Sequence, residues 1–399
     1  MLRPMRVPLL DLSQQYRSLA DPLRAEIEQV LESQRFILGP KLNEFEQAIT
    51  EFCLAPFAIG VSSGTDALLA ILMGMEIGHG DAVITTPFTF FATAGCVARL
   101  GAKPIFVDID QATLNISPAA LEKFVNEECE KRDQWLVIRS TGEKVRAIIP
   151  VHLFGLCCEM NEIHRIAQSF SLTIIEDAAQ AIGAEYPFLD GPRAAGTMGS
   201  TGFFSFYPTK NLGAAGDAGL ILCRDHNVAE KLRTIREHGM RPRYYHALLG
   251  GNFRMDEIQA AILKVKLPHL RKWAAARRAA ADFYGEQFAE AGLTGTIRLP
   301  AEPYRQGVTE HHVYHQYVIR TPDRDGLREH LARNEIGSEI YYPLGLHLQE
   351  CFRGLGYRDG DLPQTERATH EVLALPMFPE ISRESQRYVV ETIKRFFAP

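Results

Sequence analysis

Lys210 lies in the stretch GFFSFYPTKNLGAAGDAG (202–219), where aromatic and small residues surround one lysine and glycines follow it closely. A lysine held against apolar neighbours loses hydration, so its ammonium form is disfavoured and a nucleophilic amine becomes accessible near neutral pH. Such an amine suits covalent chemistry on a carbonyl, as in Schiff-base lysines. A lysine in a glycine-rich turn is more often a solvated surface residue, so its meaning rests on what else converges on it.

Three further stretches have suitable chemistry. FAIGV (57–61) reads as a buried strand that passes through SSGT (62–65) into the helical run DALLAIL (66–72). A strand, a Gly-containing turn and a helix start gather free backbone N–H groups around one small volume that suits a phosphate; the same residues also read as an ordinary helix cap. AVITT (82–86) is a strand ending at Pro87, and FTFFAT (88–93) opens another helix. Its aromatics are either core packing or a flat face for a heteroaromatic ring. The strand LTIIED (172–177) ends in Asp177, a carboxylate placed either to cap a helix or to pair with a protonated ring nitrogen. His152 follows the strand AIIPV (147–151), and the charge-poor YYPLGLH (341–347), from Tyr341 to His347, reads as pocket wall or as packing.

The elements that must position these residues follow from hydrophobic periodicity. Leu23, Ile27, Val30 and Leu31, then Phe45, Ile49 and Phe52, predict two short amphipathic helices with a turn at FILGP (36–40). Strands alternating with helices predict an α/β fold, a mostly parallel sheet with helices on both faces. Ligands in such sheets bind beyond the carboxyl ends of the strands. Residues 62–65, 88–91, His152 and Asp177 all fall at such ends. The charged stretch 127–144, with apolar residues at 135–138, predicts a surface insertion folded as a hairpin. An Ala-rich helical stretch runs from Asp256 to about Ala289, interrupted at Pro268. At 399 residues the chain exceeds one simple core. A large domain is expected over 1–250 and a smaller C-terminal α/β domain over 251–399, with strands at 313–320 and 337–341, a helix at 325–333 and another after Ser382.

A formal net charge of −6 gives no electrostatic case for nucleic acid or an anionic membrane as partner. No apolar run reaches the roughly 18 residues of a membrane span, and the start lacks the apolar core of a signal peptide, so a cytoplasmic protein is expected. Seven cysteines without CxxC spacing fit neither a disulfide framework nor a zinc site. Adjacent Cys157 and Cys158 read as reduced and structural.

One cofactor, pyridoxal 5'-phosphate (PLP), uses a lysine, a helix-start phosphate cradle, a stacking ring and a carboxylate together. SGTDAL (63–68), TFFAT (89–93), EDAAQ (176–180), FSFYPTKN (204–211) and GNFRMDEIQ (251–259) resemble, in order and spacing, the motifs of the StrS-like nucleotide-sugar aminotransferases, PLP enzymes of fold type I. The resemblance extends from PLLDL (8–12) to Leu375 and Pro376. It implies that Lys210 binds PLP covalently, Asp177 pairs with its ring nitrogen, Phe90 stacks on the ring and Gln180 bonds its phenolic oxygen. Gly64, Thr65 and Ser205 would hold the phosphate. Asn252, from a neighbouring subunit, would join them, with Arg254 a bidentate partner for the donor's carboxylate. A homodimer with shared sites follows, as does ping-pong transfer from glutamate to a nucleotide-linked keto-sugar, with a UDP-linked 2-acetamido-3-keto sugar favoured. Two positions depart from the common pattern: GDAG (216–219) replaces GDGG, and Tyr341 stands where many members have histidine. A dehydratase of the same family, in which histidine replaces the lysine, is disfavoured by Lys210; an aromatic-amine synthase and a non-catalytic PLP- or sugar-nucleotide-binding regulator remain as alternatives.

Overall fold

The computed structural model describes residues 5–398. Its nine-stranded sheet has, along its main path, the order Phe57–Val61, Gly219–Cys223, Thr201–Ser205, Thr173–Asp177, Lys144–Ile149, Asp81–Thr85, Lys103–Phe106. Only Gly219–Cys223 on this path runs antiparallel to its neighbours. The strands are apolar on both faces, as a sheet covered by helices on both sides requires. Leu220 and Leu222 face one core with Leu42, Phe45, Ile49 and Ile163, whereas Ile221 and Cys223 face another with Leu68, Ile71, Val97 and Leu232. The twofold alternation of strand side chains thus divides the apolar residues between two layers.

Register brings the strand ends to one level. Val61 and Ser205 both lie opposite Gly219, and Phe203 lies opposite Asp177. The residues after Val61, those after Ser205 and Asp177 itself therefore emerge on one edge of the sheet.

The 127–144 insertion is a hairpin of Cys129–Arg132 and Trp135–Ile138, joined to the sheet by Leu136 opposite Val145. The first helix, Ser13–Ser33, is longer than expected, with Pro22 inside it. The Ala-rich stretch breaks near Pro268 into Glu257–Lys266 and Leu270–Glu290, linked by a short 3-10 turn. In place of the expected strand at 337–341, Glu339 makes a single bridge to Ala374. The C-terminal sheet consists instead of Tyr317–Arg320 and Val372–Leu375. Among the described residues, no helix is long and apolar enough to cross a membrane.

Residues just after 250 pack with the large core. Met255, Ala260, Leu263, Leu270 and Ala274 join the sheet's core, whereas Ala280, Tyr284 and Phe288 join a separate core with Leu331, Leu375 and Ile393. The change of core therefore falls inside helix Leu270–Glu290, beyond the 250/251 boundary expected from composition.

Glu257 ties this segment to the sheet's first helices. Helix Pro40–Cys53 has no side-chain cap of its own. The Glu257 carboxylate, 1% exposed, accepts from the amides of Gly39 (2.8 Å), Lys41 (2.8 Å) and Leu42 (3.0 Å). Proline at position 40 has no amide hydrogen, so this one carboxylate meets the donors that a helix start leaves free. Replacing Glu257 by alanine should lower unfolding free energy by about 2–4 kcal/mol, because three amides, one buried and two part-buried, lose a charged acceptor. Urea unfolding of Glu257→Ala beside Glu257→Gln measures it; equal stability of wild type and alanine variant would show the cap to be dispensable.

Candidate active site

The floor of the site is Asp177. It ends strand Thr173–Asp177 and is 6% exposed. Its Oδ2 accepts from Thr93 Oγ1 at 2.8 Å, and its Oδ1 from the Ala179 amide at 3.2 Å. Burial raises its pKa above the ordinary carboxylate value, opposed by these hydrogen bonds and by the charge of Lys210. Thr93 also hydrogen-bonds Thr89 at 3.1 Å, so two threonines of the TFFAT motif set the orientation of the carboxylate.

Lys210 lies five residues beyond strand Thr201–Ser205, in a turn whose amide bond to Tyr207 O measures 2.8 Å. Although open to the cavity, its amine is surrounded by enough protein for desolvation to bring the pKa from 10.5 down to about 8, with Asp177 opposing. The acid and the amine thus shift in opposite directions for one reason, shared loss of water.

Beside them, Ser63 caps helix Gly64–Gly74 by accepting from the Asp66 amide at 3.0 Å. Ser63, Gly64 and Thr65 at the head of this helix line the cavity, where the first amides of a helix have no partner within it. Glycine is required on both sides of this approach. A Cβ on Gly64 would stand 2.8 Å from Ser205 Cβ, and one on Gly219 would stand 2.3 Å from the Ser63 carbonyl carbon. Ala218, the departure from GDGG, is buried in the core beneath and takes no part in that contact.

Of the paired phenylalanines, Phe91 stacks on Phe352 (5.7 Å between centroids, 27° between planes). Phe90 is left 59% exposed over the cavity. Gln180 is fixed by its amide: Oε1 accepts from the Phe154 amide at 2.7 Å, and Nε2 donates to Tyr342 Oη at 3.1 Å. One N–H of Gln180 stays unused by these bonds. The far wall is the strip Glu339–Leu346, and the cavity measures about 850 Å³.

Lys210, Asp177, Gly64, Thr65, Phe90, Gln180, Ser205 and Tyr341 all line this one cavity. His152 and His347 do not. His152 is fully buried, its Nε2 2.8 Å from Glu176 and its Nδ1 accepting from the Cys158 amide at 3.1 Å. Glu176, itself fully buried, also accepts from the amides of Gly196 and Gly199, so the imidazole completes a buried carboxylate's set of donors rather than facing a substrate. His347 is buried behind the wall, its Nε2 3.1 Å from Glu366, which also accepts from the amides of Gly360 and Leu362. Asn252 is exposed and Arg254 half-buried; neither lines the cavity of its own chain. Their segment is held at the sheet edge by the bridge between Val61 and Arg254 and by the Ser62 amide on Phe253 O at 3.1 Å.

Sequence reasoning missed His315. Asn211 Nδ2 donates to Val313 O at 2.9 Å, which turns Asn211 Oδ1 toward His315 Nδ1 at 3.2 Å. His315 therefore carries its proton on Nδ1, and burial with the charges of Lys210 and Arg277 keeps its pKa well below the ordinary value. The signal was Asn211, directly after the lysine. Thr93, Gln316 and Glu339 were also unforeseen in the lining.

The family described as DegT/DnrJ/EryC1/StrS aminotransferases matches residues 18–394. A pleiotropic regulatory protein of Geobacillus stearothermophilus is 47% identical over 393 residues, 98% of this chain and 99% of the relative. A UDP-N-acetyl-3-dehydro-alpha-D-glucosamine 3-aminotransferase of Acidithiobacillus ferrooxidans is 38% identical, covering 98% of this chain and 97% of the relative. Among solved structures, NtdA from Bacillus subtilis with bound cofactor PMP aligns with a TM-score of 0.85 and 29% identity, over 99% of this chain and 86% of that one. A match of this extent, on the fold and motifs described above, means that the chain belongs to the DegT/DnrJ/EryC1/StrS aminotransferase family.

Proposed function

We propose that this protein moves the amino group of glutamate onto a UDP-linked 2-acetamido-3-keto sugar, with PLP bound covalently through Lys210. The observation that carries the reading is the pairing of a desolvated amine with a buried carboxylate on the floor of one cavity. The site fits the cofactor in three further respects: an aromatic face left bare at Phe90, a spare N–H on Gln180, and a glycine-lined helix start beside Ser205. When bound, PLP supplies an aldehyde that carries the amino group and a ring that draws off the electron pair of a broken Cα–H bond.

Asp177 keeps a proton on the ring nitrogen, and Thr93 and the Ala179 amide hold its carboxylate in place for that task. Lys210 Nζ, once released by the incoming amine, would move a proton between the substrate carbon and the cofactor's aldehyde carbon, two atoms apart across the shared nitrogen, which requires an amine able to titrate near neutral pH. Gly64, Thr65 and Ser205 anchor the phosphate, and Phe90 covers one face of the ring. The sugar preference draws on the Acidithiobacillus relative, whose named substrate is of that kind.

Two copies of the chain complete the site in this reading. Glutamate and a nucleoside diphosphate both need cations, and Lys210 is the only cationic side chain among the described residues lining the cavity. Asn252 and Arg254 of a second copy would supply the phosphate contact and the guanidinium. A purely regulatory protein, as the name of the Geobacillus relative suggests for that chain, would need neither the amine nor the carboxylate.

Three outcomes test the reading. Borohydride should fix PLP on the peptide containing Lys210, seen as a mass increase, and Lys210→Ala should take up none; a labelled alanine variant would refute the covalent role. Capture of PLP by the apoprotein requires the neutral amine, so its rate should rise with pH around a midpoint of about 8. A midpoint near the unperturbed 10.5 would show that Lys210 is solvated. Asp177→Asn should retain PLP yet turn over glutamate and keto-sugar on the order of 100-fold more slowly, as followed by mass of the aminated sugar; unchanged turnover removes its electronic role.

A further inference from the structure

The charge of the cavity lining bears on which sugars can enter. Three carboxylates face the cavity, from Asp177, Asp217 and Glu339, against the single cation Lys210 among the described lining residues. In the reading above, Lys210 is committed to the cofactor and Asp177 to its ring nitrogen. Asp217 is exposed and follows the lysine loop. Glu339 stands apart from that chemistry, at the start of the wall strip that also presents Tyr341 and Tyr342.

Glu339 is held in place from two sides. Its backbone pairs with Ala374 in both directions (2.8 and 3.3 Å), which fixes it to strand Val372–Leu375. Its Oε1 accepts from the Ile340 amide at 2.9 Å and from Arg328 Nη2 at 3.2 Å. Both bonds fall on one carboxylate oxygen, so Oε2 is left to accept from a ligand hydroxyl. Glu339 lines the cavity and Arg328, its ion-pair partner, does not. Gln316 and Gln349 add neutral hydrogen-bonding groups.

We propose that Glu339 makes the site selective for sugars without a carboxylate: a neutral keto-hexose is admitted and the corresponding uronate is opposed. A sugar hydroxyl can donate to Oε2, whereas a sugar carboxylate beside Glu339 meets a like charge and no lining cation of its own chain free to pair with it, the guanidinium from a second copy being assigned above to the donor's carboxylate. This rests on the protein being a keto-sugar aminotransferase, and binding separates the two ideas.

The experiment measures, by calorimetry on the PLP-loaded enzyme, binding of UDP-N-acetylglucosamine and of its uronate, which differ only in hydroxymethyl against carboxylate. Wild type should bind the neutral sugar about tenfold more tightly, and the gap should shrink at high salt. Glu339→Gln should close the gap, because it removes the repelling charge and leaves Arg328 without its partner. Arg328→Gln, which keeps the carboxylate and removes its counter-ion, should widen it. Equal affinity in wild type, tighter uronate binding, failure of both ligands to bind, or a gap unmoved by both variants overturns the inference. Discrimination in binding with no amination of either keto form would instead sink the aminotransferase reading and leave the selectivity standing.

Discussion

The site depends on removing water from an acid and an amine together. Alone, each would be costly to bury; side by side, each lessens the other's penalty while neither is fully neutralised. That balance leaves Asp177 raised and Lys210 lowered, and it explains why the surrounding structure is so constrained. Thr93 and the Ala179 amide hold the carboxylate, and the antiparallel strand Gly219–Cys223 aligns the ends of its two neighbours so that Lys210 and the start of helix Gly64–Gly74 meet. Gly219 opposes both neighbouring strand ends, and it is also where a side chain would strike Ser63.

Much of this was legible in the sequence because it follows from short-range pattern. Apolar strands, a capping serine before a helix and an aspartate at a strand terminus all read directly, and the topology of an α/β sheet gathers strand ends without further knowledge. The hairpin at 127–144 was also readable, since an apolar island between charged flanks can bury only one face. Core membership was not. The segment from Met255 to Leu270 reads as the helical start of the C-terminal domain, yet its apolar face closes on the large core, and that depends on partners more than two hundred residues away.

The two histidines show a second limit. His152 and His347 occupy the expected places along the chain, but a residue at a strand end or in a loop has several directions to point, and the choice is made by unmet needs elsewhere. Glu176 and Glu366 each gather backbone amides, and each takes an imidazole as an additional partner. His315 is the converse: its partner Asn211 lies 104 residues away in sequence, so the only mark was the asparagine beside the lysine.

The packing of the wall strip has an evolutionary consequence. The wall strip beginning at Glu339 is pinned to strand Val372–Leu375, whose Leu373 and Leu375 belong to the second core. Ile340, Tyr341 and Tyr342, however, pack in one cluster with Phe88, Val151 and Phe154, and Val151 bridges to Asp177, so wall and floor share packing. In the proposed reading, a lineage that alters the wall to take a new acceptor also perturbs the packing around Asp177, so a change of substrate is coupled to the setting of the carboxylate.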